Sequence, residues 1–226
     1  CLGVTSFFLI FYYINWVSIN RRVVTVLTNR LGDIFIIFFI STFAFTNVYN
    51  TIFFLRMPLI ILLLGLITKR AQFPFRSWLP QAIAAPTPTR ALVHSSTLVT
   101  AGIYIIIKYY FFFSRIFYRQ LFYSLGLLTF FVSGTCSFFE KDLKKIIALS
   151  TLNQLGFIIF SLSINNKIIV FFHLITHAFF KRCLFLQIGF FIHRNFSNQD
   201  SRIFNFYLKR NLINSFFFFF CLLRIC

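Results

Sequence analysis

Long apolar runs separated by short polar stretches make up most of this chain. A bilayer-spanning helix needs about 20 apolar residues, and runs of roughly that length recur throughout. A transmembrane β-barrel would require alternating apolar and polar residues, whereas these runs are continuous. The pattern therefore predicts an all-α, polytopic transmembrane helix bundle, a single domain over residues 1–226. Its approximate membrane segments are 1–17, 23–46, 56–73, 89–113, 121–139, 144–163, 166–191 and 212–226.

Composition identifies the bilayer as the solvent of this bundle. The residues are 59% hydrophobic and 12% charged, with a mean hydropathy of +0.83. A water-soluble domain is about one quarter charged, and one soluble core could not bury this much apolar surface. The first and last runs stop inside apolar sequence, and the only Met is Met57. We therefore expect a fragment truncated at both ends.

The formal net charge of +18 would suggest nucleic-acid binding in a soluble protein. Here the basic residues lie mostly between the apolar runs, where they meet lipid headgroups and set the topology. The expected partner is therefore the lipid bilayer, with no nucleic acid; the excess positive charge could also meet acidic partner subunits. The five cysteines lie in or beside apolar runs without a C-x-x-C pair. Such cysteines behave as small apolar residues, so neither disulfides nor iron–sulfur ligation is expected.

Three ionisable residues interrupt the apolar stretch HLITHAFFK. His173, His177 and Lys181 follow each other at i, i+4 and i+8, which places them on one helix face. Ionisable groups inside a spanning helix are costly and are candidates for function. A metal site is disfavoured, because the run lacks the glutamate of the metalloprotease motif and includes a lysine. Histidine titrates near neutral pH, so proton transfer is favoured over the alternative of a polar packing face.

A second lysine stands where an apolar run is interrupted. Lys69 ends that run, and residues 74–90 contain four of the five prolines. Proline breaks or bends a helix, and broken helices at membrane depth are tolerated only where they are buried or line a cavity. Transporters use such breaks at ion sites. We therefore predict one proline-broken helix region near 69–90 with Lys69 as a candidate site residue; a lysine extending to the membrane surface is the alternative.

Histidine and hydroxyl groups follow this break. His94 lies in the second turn of a predicted helix, and no acidic residue in that stretch could orient it for nucleophilic hydrolysis. The arrangement suits hydrogen-bonded water. The hydroxyl residues after it are Ser95, Ser96 and Thr97.

Further polar residues fall on predicted helices. Ser150 and Thr151 in KKIIALSTLNQLG either hold helices together or hold water beside the lysines. Asp33 follows Arg30 at i, i+3 in NRLGD, a spacing that predicts an internal ion pair. The pattern places no carboxylate clearly at mid-membrane beside a lysine.

Several of these stretches carry a family resemblance. FPFRSWLPQAIAAPTPTRALVHSSTLVTAGIY, DLKKIIALSTLNQLGF and HLITHAFFKRCLFL together resemble the chain 5 family of NADH–ubiquinone oxidoreductase, respiratory complex I. LTNRLGD and LGVTSFFLIFYY match as well. The resemblance covers about residues 2–200, and the segment after Asp200 keeps only the apolar character. It implies an antiporter-like fold in the membrane arm of that complex, in the mitochondrial inner membrane.

The resemblance also implies roles for particular residues. The family's lysine near the broken helix corresponds to Lys69, and its central lysine to Lys181. The partner glutamate of the first lysine would lie upstream of Cys1, and a second broken helix would follow Cys226. The remaining correspondences are His94, His173 and His177 for proton transfer, and Arg30 and Asp33 of the N-R-x-G-D motif.

The implied function is proton translocation coupled to quinone reduction, as a subunit of NADH:ubiquinone reductase. No redox chemistry is expected in this chain, which has no Gly-rich phosphate motif. FMN, iron–sulfur clusters and ubiquinone are expected in partner subunits, and no cofactor or metal here. Two alternatives stay open: a subunit of a cation/proton antiporter, and a purely structural membrane subunit.

Overall fold

The computed structural model describes residues 8, 16–49, 56–69, 71, 72, 75, 98–113, 116–194, 199 and 200. The predicted segments 1–17 and 212–226, and most of the proline-rich region 69–90, lie outside these ranges. The helices of the described part are α1 (Trp16–Tyr49), α2 (Arg56–Lys69), α3 (Leu98–Lys108), α4 (Tyr110–Phe113), α5 (Ile116–Phe139), α6 (Leu143–Ser163) and α7 (Lys167–Arg194).

The predicted helical class is confirmed. Among the described residues, four helices are long and apolar enough to cross a membrane, and their spanning parts are Val23–Ala44, Tyr118–Phe139, Leu143–Ser163 and Lys167–Arg194. α2 has 14 residues and is therefore about 21 Å long, shorter than a hydrocarbon core of about 30 Å. The chain is a multi-pass membrane protein, and the described part of α2 is shorter than a full crossing.

Three helix pairs carry most of the interhelical packing: α5 with α6, α1 with α2, and α6 with α7. The short turns between α5, α6 and α7 make these neighbours antiparallel. A large apolar cluster includes residues from each of the helices α1 through α6 and from the start of α7. A second, smaller cluster joins α6 to the later part of α7 and includes Ile147, Leu184, Phe185 and Ile188.

Glycines bring α5 and α6 into close contact. A Cβ atom added at Gly156 would lie 2.7 Å from Thr129 Oγ1 and 2.8 Å from the backbone nitrogen of Phe130. One added at Gly126 would lie 3.1 Å from the Gly156 carbonyl oxygen. Lipid is as apolar as the helix surfaces, so helices in a membrane associate through such close fits rather than through apolar burial. The close α5–α6 crossing therefore depends on having glycine, which has no side chain, at positions 126 and 156.

The hydroxyl side chains of these apolar helices are mostly satisfied within their own helix. Each donates to a backbone carbonyl three or four residues earlier, a bond that needs no partner helix. Apolar helices can therefore carry serine and threonine without a polar interior. The residues are Thr28, Ser41, Thr42, Thr68, Ser124, Thr129, Ser133, Thr135, Ser137, Ser150, Thr151, Ser161, Ser163 and Thr176.

The α5–α6 contact predicts a difference between two Gly→Ala substitutions. Gly156→Ala should force the helices apart, because overpacking costs about 1–3 kcal/mol. Gly134→Ala is the control, since its methyl would meet only the Asn153 amide at 3.8 Å. We expect a lower thermal unfolding midpoint of the detergent-solubilised full-length subunit for Gly156→Ala alone. Equal midpoints would show that the close contact is absent.

Candidate functional site

The buried face of α7 changes from apolar to polar at its middle and back again. Val170 and Leu174 belong to the large apolar cluster, and Leu184 belongs to the second cluster. Between them lie His177, which is 7% exposed, and Lys181, which is 1% exposed. Because α7 runs from Lys167 to Arg194, these two groups lie near the centre of a helix long enough to span a membrane.

Lys181 is held by a hydroxyl from α6. Its Nζ donates to Ser150 Oγ at 2.6 Å, and Ser150 Oγ donates in turn to the Ile147 carbonyl at 2.8 Å. Within the described residues no carboxylate lies within 4.0 Å of this amine. The hydroxyl of the neighbouring Thr151 donates to the Ala148 carbonyl. Lys181 is thus a buried amine with a neutral acceptor.

The two histidines of α7 have different surroundings. His173 is half-buried, and its Nε2 lies 3.2 Å from Gln154 Oε1 on α6; with Nε2 protonated, the ring donates to this acceptor. His177 is buried, and neither of its ring nitrogens has a hydrogen-bond partner in the described part of the chain. The ring centroids of the two histidines are 6.4 Å apart. A neutral imidazole always has one acceptor nitrogen, so His177 can receive a proton.

The helix that carries Lys69 ends immediately after it. Ala71 has a positive φ of 55°, and its N–H donates to the Thr68 carbonyl while that of Gln72 donates to the Ile67 carbonyl. This pair of bonds is the Schellman motif that terminates helices, here with alanine where glycine is usual. Lys69 consequently lies in the last turn of α2, where the helix dipole favours a cation.

Lys69 forms an ion pair with α1. Its Nζ lies 2.7 Å from Asp33 Oδ1, with side chains that are 21% and 33% exposed. The predicted pairing of Asp33 with Arg30 is therefore wrong. Asp33 is at the middle of the Val23–Ala44 span, so the expectation that no carboxylate lies at mid-membrane beside a lysine is also wrong. The local i, i+3 spacing was misleading because the ion pair forms between two helices, and spacing within one segment does not report such a contact.

Two further amides lie on or next to these helices. Gln154 is among the polar residues that the sequence assigns to helix contacts or water, and it lies one turn after Ser150 on α6. Gln72 was not singled out from the sequence. Gln72 is 1% exposed, and both of its amide atoms lack a partner in the described part of the chain. It lines a cavity of about 10 Å³ among apolar side chains of α2, α3, α5 and α6, which is about the space of one water molecule.

Polar groups thus collect around two separate lysines. One group is Lys69 with Asp33, at the α1–α2 contact. The other is Lys181 with Ser150 and the histidines of α7. The predicted link between them lies outside the described residues: His94, Ser95, Ser96 and Thr97. An amine beside an imidazole, and an amine beside a carboxylate, can each exchange protons without a metal or a cofactor.

Comparisons with known proteins agree with this architecture. A family model described as NADH:quinone oxidoreductase/Mrp antiporter, transmembrane, matches residues 1–226. The chain is 46% identical over 219 residues to NADH-ubiquinone oxidoreductase chain 5 of Caenorhabditis elegans, which covers 94% of this chain and 40% of that protein. Identity is 45% over 207 residues to chain 5 of Ascaris suum, covering 89% and 37% of the two chains. The chain spans about two fifths of the length of these relatives.

A solved structure shares the fold. The Mrp complex of a Dietzia species aligns with 85% of this chain and 23% of its own, at 26% identity and a TM-score of 0.75. The resemblance predicted from the motifs is confirmed by the relatives, and the antiporter-like architecture by this structure. Since the family model extends over all 226 residues, the chain belongs to the NADH:quinone oxidoreductase/Mrp antiporter family of membrane proteins.

Proposed function

We propose that this chain is part of a proton-translocating subunit of NADH:ubiquinone oxidoreductase in the mitochondrial inner membrane. The observation that carries the proposal is Lys181, an amine 1% exposed near the centre of a spanning helix. Charged groups at that depth are costly and mark ion or proton pathways. The relatives named chain 5 of this enzyme support the complex, and their occurrence in animals supports the organelle.

At α7 the geometry favours exchange between Lys181 and His177. The Ser150 hydroxyl already donates to the Ile147 carbonyl, so it serves Lys181 as an acceptor that orients the amine. A proton leaving Lys181 therefore needs another acceptor. His177 lies one turn away on the same face, and its ring nitrogens have no partner in the described residues. Because Lys181 Nζ is outside hydrogen-bond reach of these nitrogens, the proton passes to His177 through one water molecule in this proposal.

At the end of α2, the Asp33 carboxylate is the countercharge of the Lys69 amine. In the proposal, this ion pair opens when the proton is released and closes when one is taken up. The two lysine sites therefore use different means: a countercharge that can separate from Lys69, and a fixed hydroxyl at Lys181. An equilibrium between paired and separated states is the kind of two-state element that can be biased from a distance.

Coupling between the sites follows from like-charge repulsion. A charge gained at one lysine disfavours a charge at the next. The effect of quinone reduction elsewhere in the complex could therefore be transmitted from one lysine site to the next as alternating protonation. In the proposed order of proton transfer, His94 follows Lys69 and precedes His173, His177 and Lys181. Arg30, Thr151 and the hydroxyls at Ser95, Ser96 and Thr97 have supporting roles in the proposal.

The proposed partners are the other membrane-arm subunits of the complex and the bilayer. FMN, iron–sulfur clusters and ubiquinone belong to those partners in this proposal, and this chain contributes proton transfer alone. The structural likeness to an Mrp complex keeps the cation/proton antiporter as a comparison. The relatives at 45–46% identity favour the oxidoreductase.

Removing the charge of Lys69 should uncouple this subunit. We expect Lys69→Met, in the full-length subunit assembled in its complex and reconstituted in vesicles, to lower the protons translocated per NADH oxidised. Asp33→Asn should lower the same ratio, because it removes the countercharge. Lys145→Met is the matched control: it also breaks a lysine ion pair, with Asp142 at 2.9 Å, but its side chain is 42% exposed at a helix end.

The outcomes separate the proposal from its alternatives. If Lys69→Met and Lys181→Met both leave the proton-to-NADH ratio unchanged with the complex assembled, the polar groups serve packing and the chain is a structural membrane subunit. If proton translocation stops when sodium is omitted from the vesicles, the cation/proton antiporter is supported instead. A loss as large in Lys145→Met would show that any broken ion pair lowers coupling.

A second prediction concerns the hydroxyl that holds Lys181. Ser150→Ala should lower the proton-to-NADH ratio, because a hydrogen bond to a charged group contributes about 1.5–3 kcal/mol. Ser150→Thr retains a hydroxyl and should preserve the ratio. Ser161→Ala is the control, since that hydroxyl donates only to the Ile158 carbonyl in the same helix. Equal ratios in Ser150→Ala and Ser161→Ala would contradict an orienting role.

A further inference from the structure

We propose that Gly32 is a positioning residue for the Asp33–Lys69 ion pair, acting through its contact with Thr68 and the stem of Lys69. The inference rests on the proposed function in so far as this pair takes part in proton transfer. The positioning role itself is a statement about distance. The absence of a side chain at Gly32 lets α1 and α2 approach closely enough for Lys69 Nζ and Asp33 Oδ1 to lie 2.7 Å apart.

The contact at Gly32 is tight on the side that faces α2. A Cβ atom there would lie 2.7 Å from Thr68 Oγ1, 3.0 Å from Lys69 Cγ and 3.4 Å from the Gly65 carbonyl oxygen. Separations below 3.0 Å are not tolerated between such atoms, and those up to 3.4 Å require the neighbour to move. Any residue other than glycine must therefore displace Thr68, Lys69 or the whole of α2.

Gly65 completes the crossing from the other helix. Its added Cβ would lie 3.0 Å from Phe35 Cβ and 3.3 Å from the Gly32 carbonyl oxygen. Each glycine thus meets the backbone of the other, so the two helices touch through their main chains. This contact immediately precedes the ion pair on both helices, because Gly32 is followed by Asp33 and Thr68 by Lys69.

Thr68 is fixed in the space over Gly32. It is 1% exposed, and its Oγ1 donates to the Gly65 carbonyl at 2.9 Å. Since that bond holds the side chain against its own helix, Thr68 cannot swing away from a new methyl group without losing the bond. A methyl at Gly32 would therefore push on α2 one residue before the lysine, and on the Lys69 stem itself.

The α5–α6 crossing shows that close glycine contacts need not serve an ionisable group. There the Cβ atoms of Gly126 and Gly156 would meet backbone atoms and a threonine hydroxyl, with no lysine or carboxylate among the nearest atoms. At Gly32 the list of nearest atoms includes a carbon of the proposed proton-carrying lysine. Helix packing at Gly32 therefore also affects the geometry of the ion pair, whereas packing at Gly126 and Gly156 does not.

The decisive experiment is a substitution series in the full-length subunit, assembled in its complex and reconstituted in vesicles. Gly32→Ala should lower the protons translocated per NADH oxidised. Gly32→Ala combined with Thr68→Ala should recover part of the loss relative to Thr68→Ala alone, because the hydroxyl that blocks the methyl is gone. On an Asp33→Asn background, Gly32→Ala should cause no further loss, since the pair it positions no longer exists. Gly134→Ala is the matched control, with no close neighbour for its methyl.

Contrary results would identify a different role. An unchanged ratio in Gly32→Ala would overturn the proposal. So would a loss of equal size on the Asp33→Asn background, because independent effects add and the glycine would then act through packing alone. A loss that Thr68→Ala does not relieve would remove Thr68 from the contact and overturn the proposed route.

A structural measurement separates this inference from the proposed function. The structure of the Gly32→Ala complex should show Nζ and Oδ1 separated beyond 3.5 Å, where a hydrogen bond is lost. If Lys69→Met leaves translocation unchanged but this separation appears, the proposed role of Lys69 in proton transfer fails and the positioning role stands. If the 2.7 Å contact persists in Gly32→Ala, the positioning role fails whatever Lys69 does.

Discussion

The hydrocarbon core of a bilayer offers no water that could hydrogen-bond to polar groups, and the arrangement around the site follows from that constraint. Backbone groups are satisfied by helix formation, and most hydroxyls by carbonyls of the same helix. The ammonium groups of Lys69 and Lys181 are instead satisfied by a group from another helix. For Lys69 it is Asp33 of α1, and for Lys181 it is Ser150 of α6. These contacts tie the register of α2 to α1, and of α7 to α6.

The packing around Lys181 restricts the directions in which a proton could travel. Along α7 the polar pair His177 and Lys181 is closed off by one apolar cluster before it and a second after it. Continuous water along the helix axis would have to pass through both clusters. Between the two clusters the Ser150 hydroxyl reaches Lys181 from α6, so the hydrogen bond of this amine runs between helices.

Local spacing predicted what lies on one helix and failed where two helices meet. The polar face of α7 could be predicted because His173, His177 and Lys181 share a single helical repeat. The partner of Lys69 could not, because it depends on how α1 and α2 cross, which no spacing within either segment reports. One signal was present: Asp33 stands near the centre of the apolar run 23–46. Its nearness to Arg30 in the chain favoured the wrong partner.

Helix packing and charge chemistry are joined most closely where α1 meets α2. In a bilayer, apolar burial does not drive helices together, so the distance between them is decided by steric fit. At Gly32 that fit involves the lysine stem itself, and the same fit decides whether the carboxylate can reach the amine. One added methyl group at Gly32 can therefore disrupt the Asp33–Lys69 ion pair, as a substitution of either charged residue would. At the α5–α6 crossing the same kind of contact has no ionisable neighbour, and it determines only how close the helices lie.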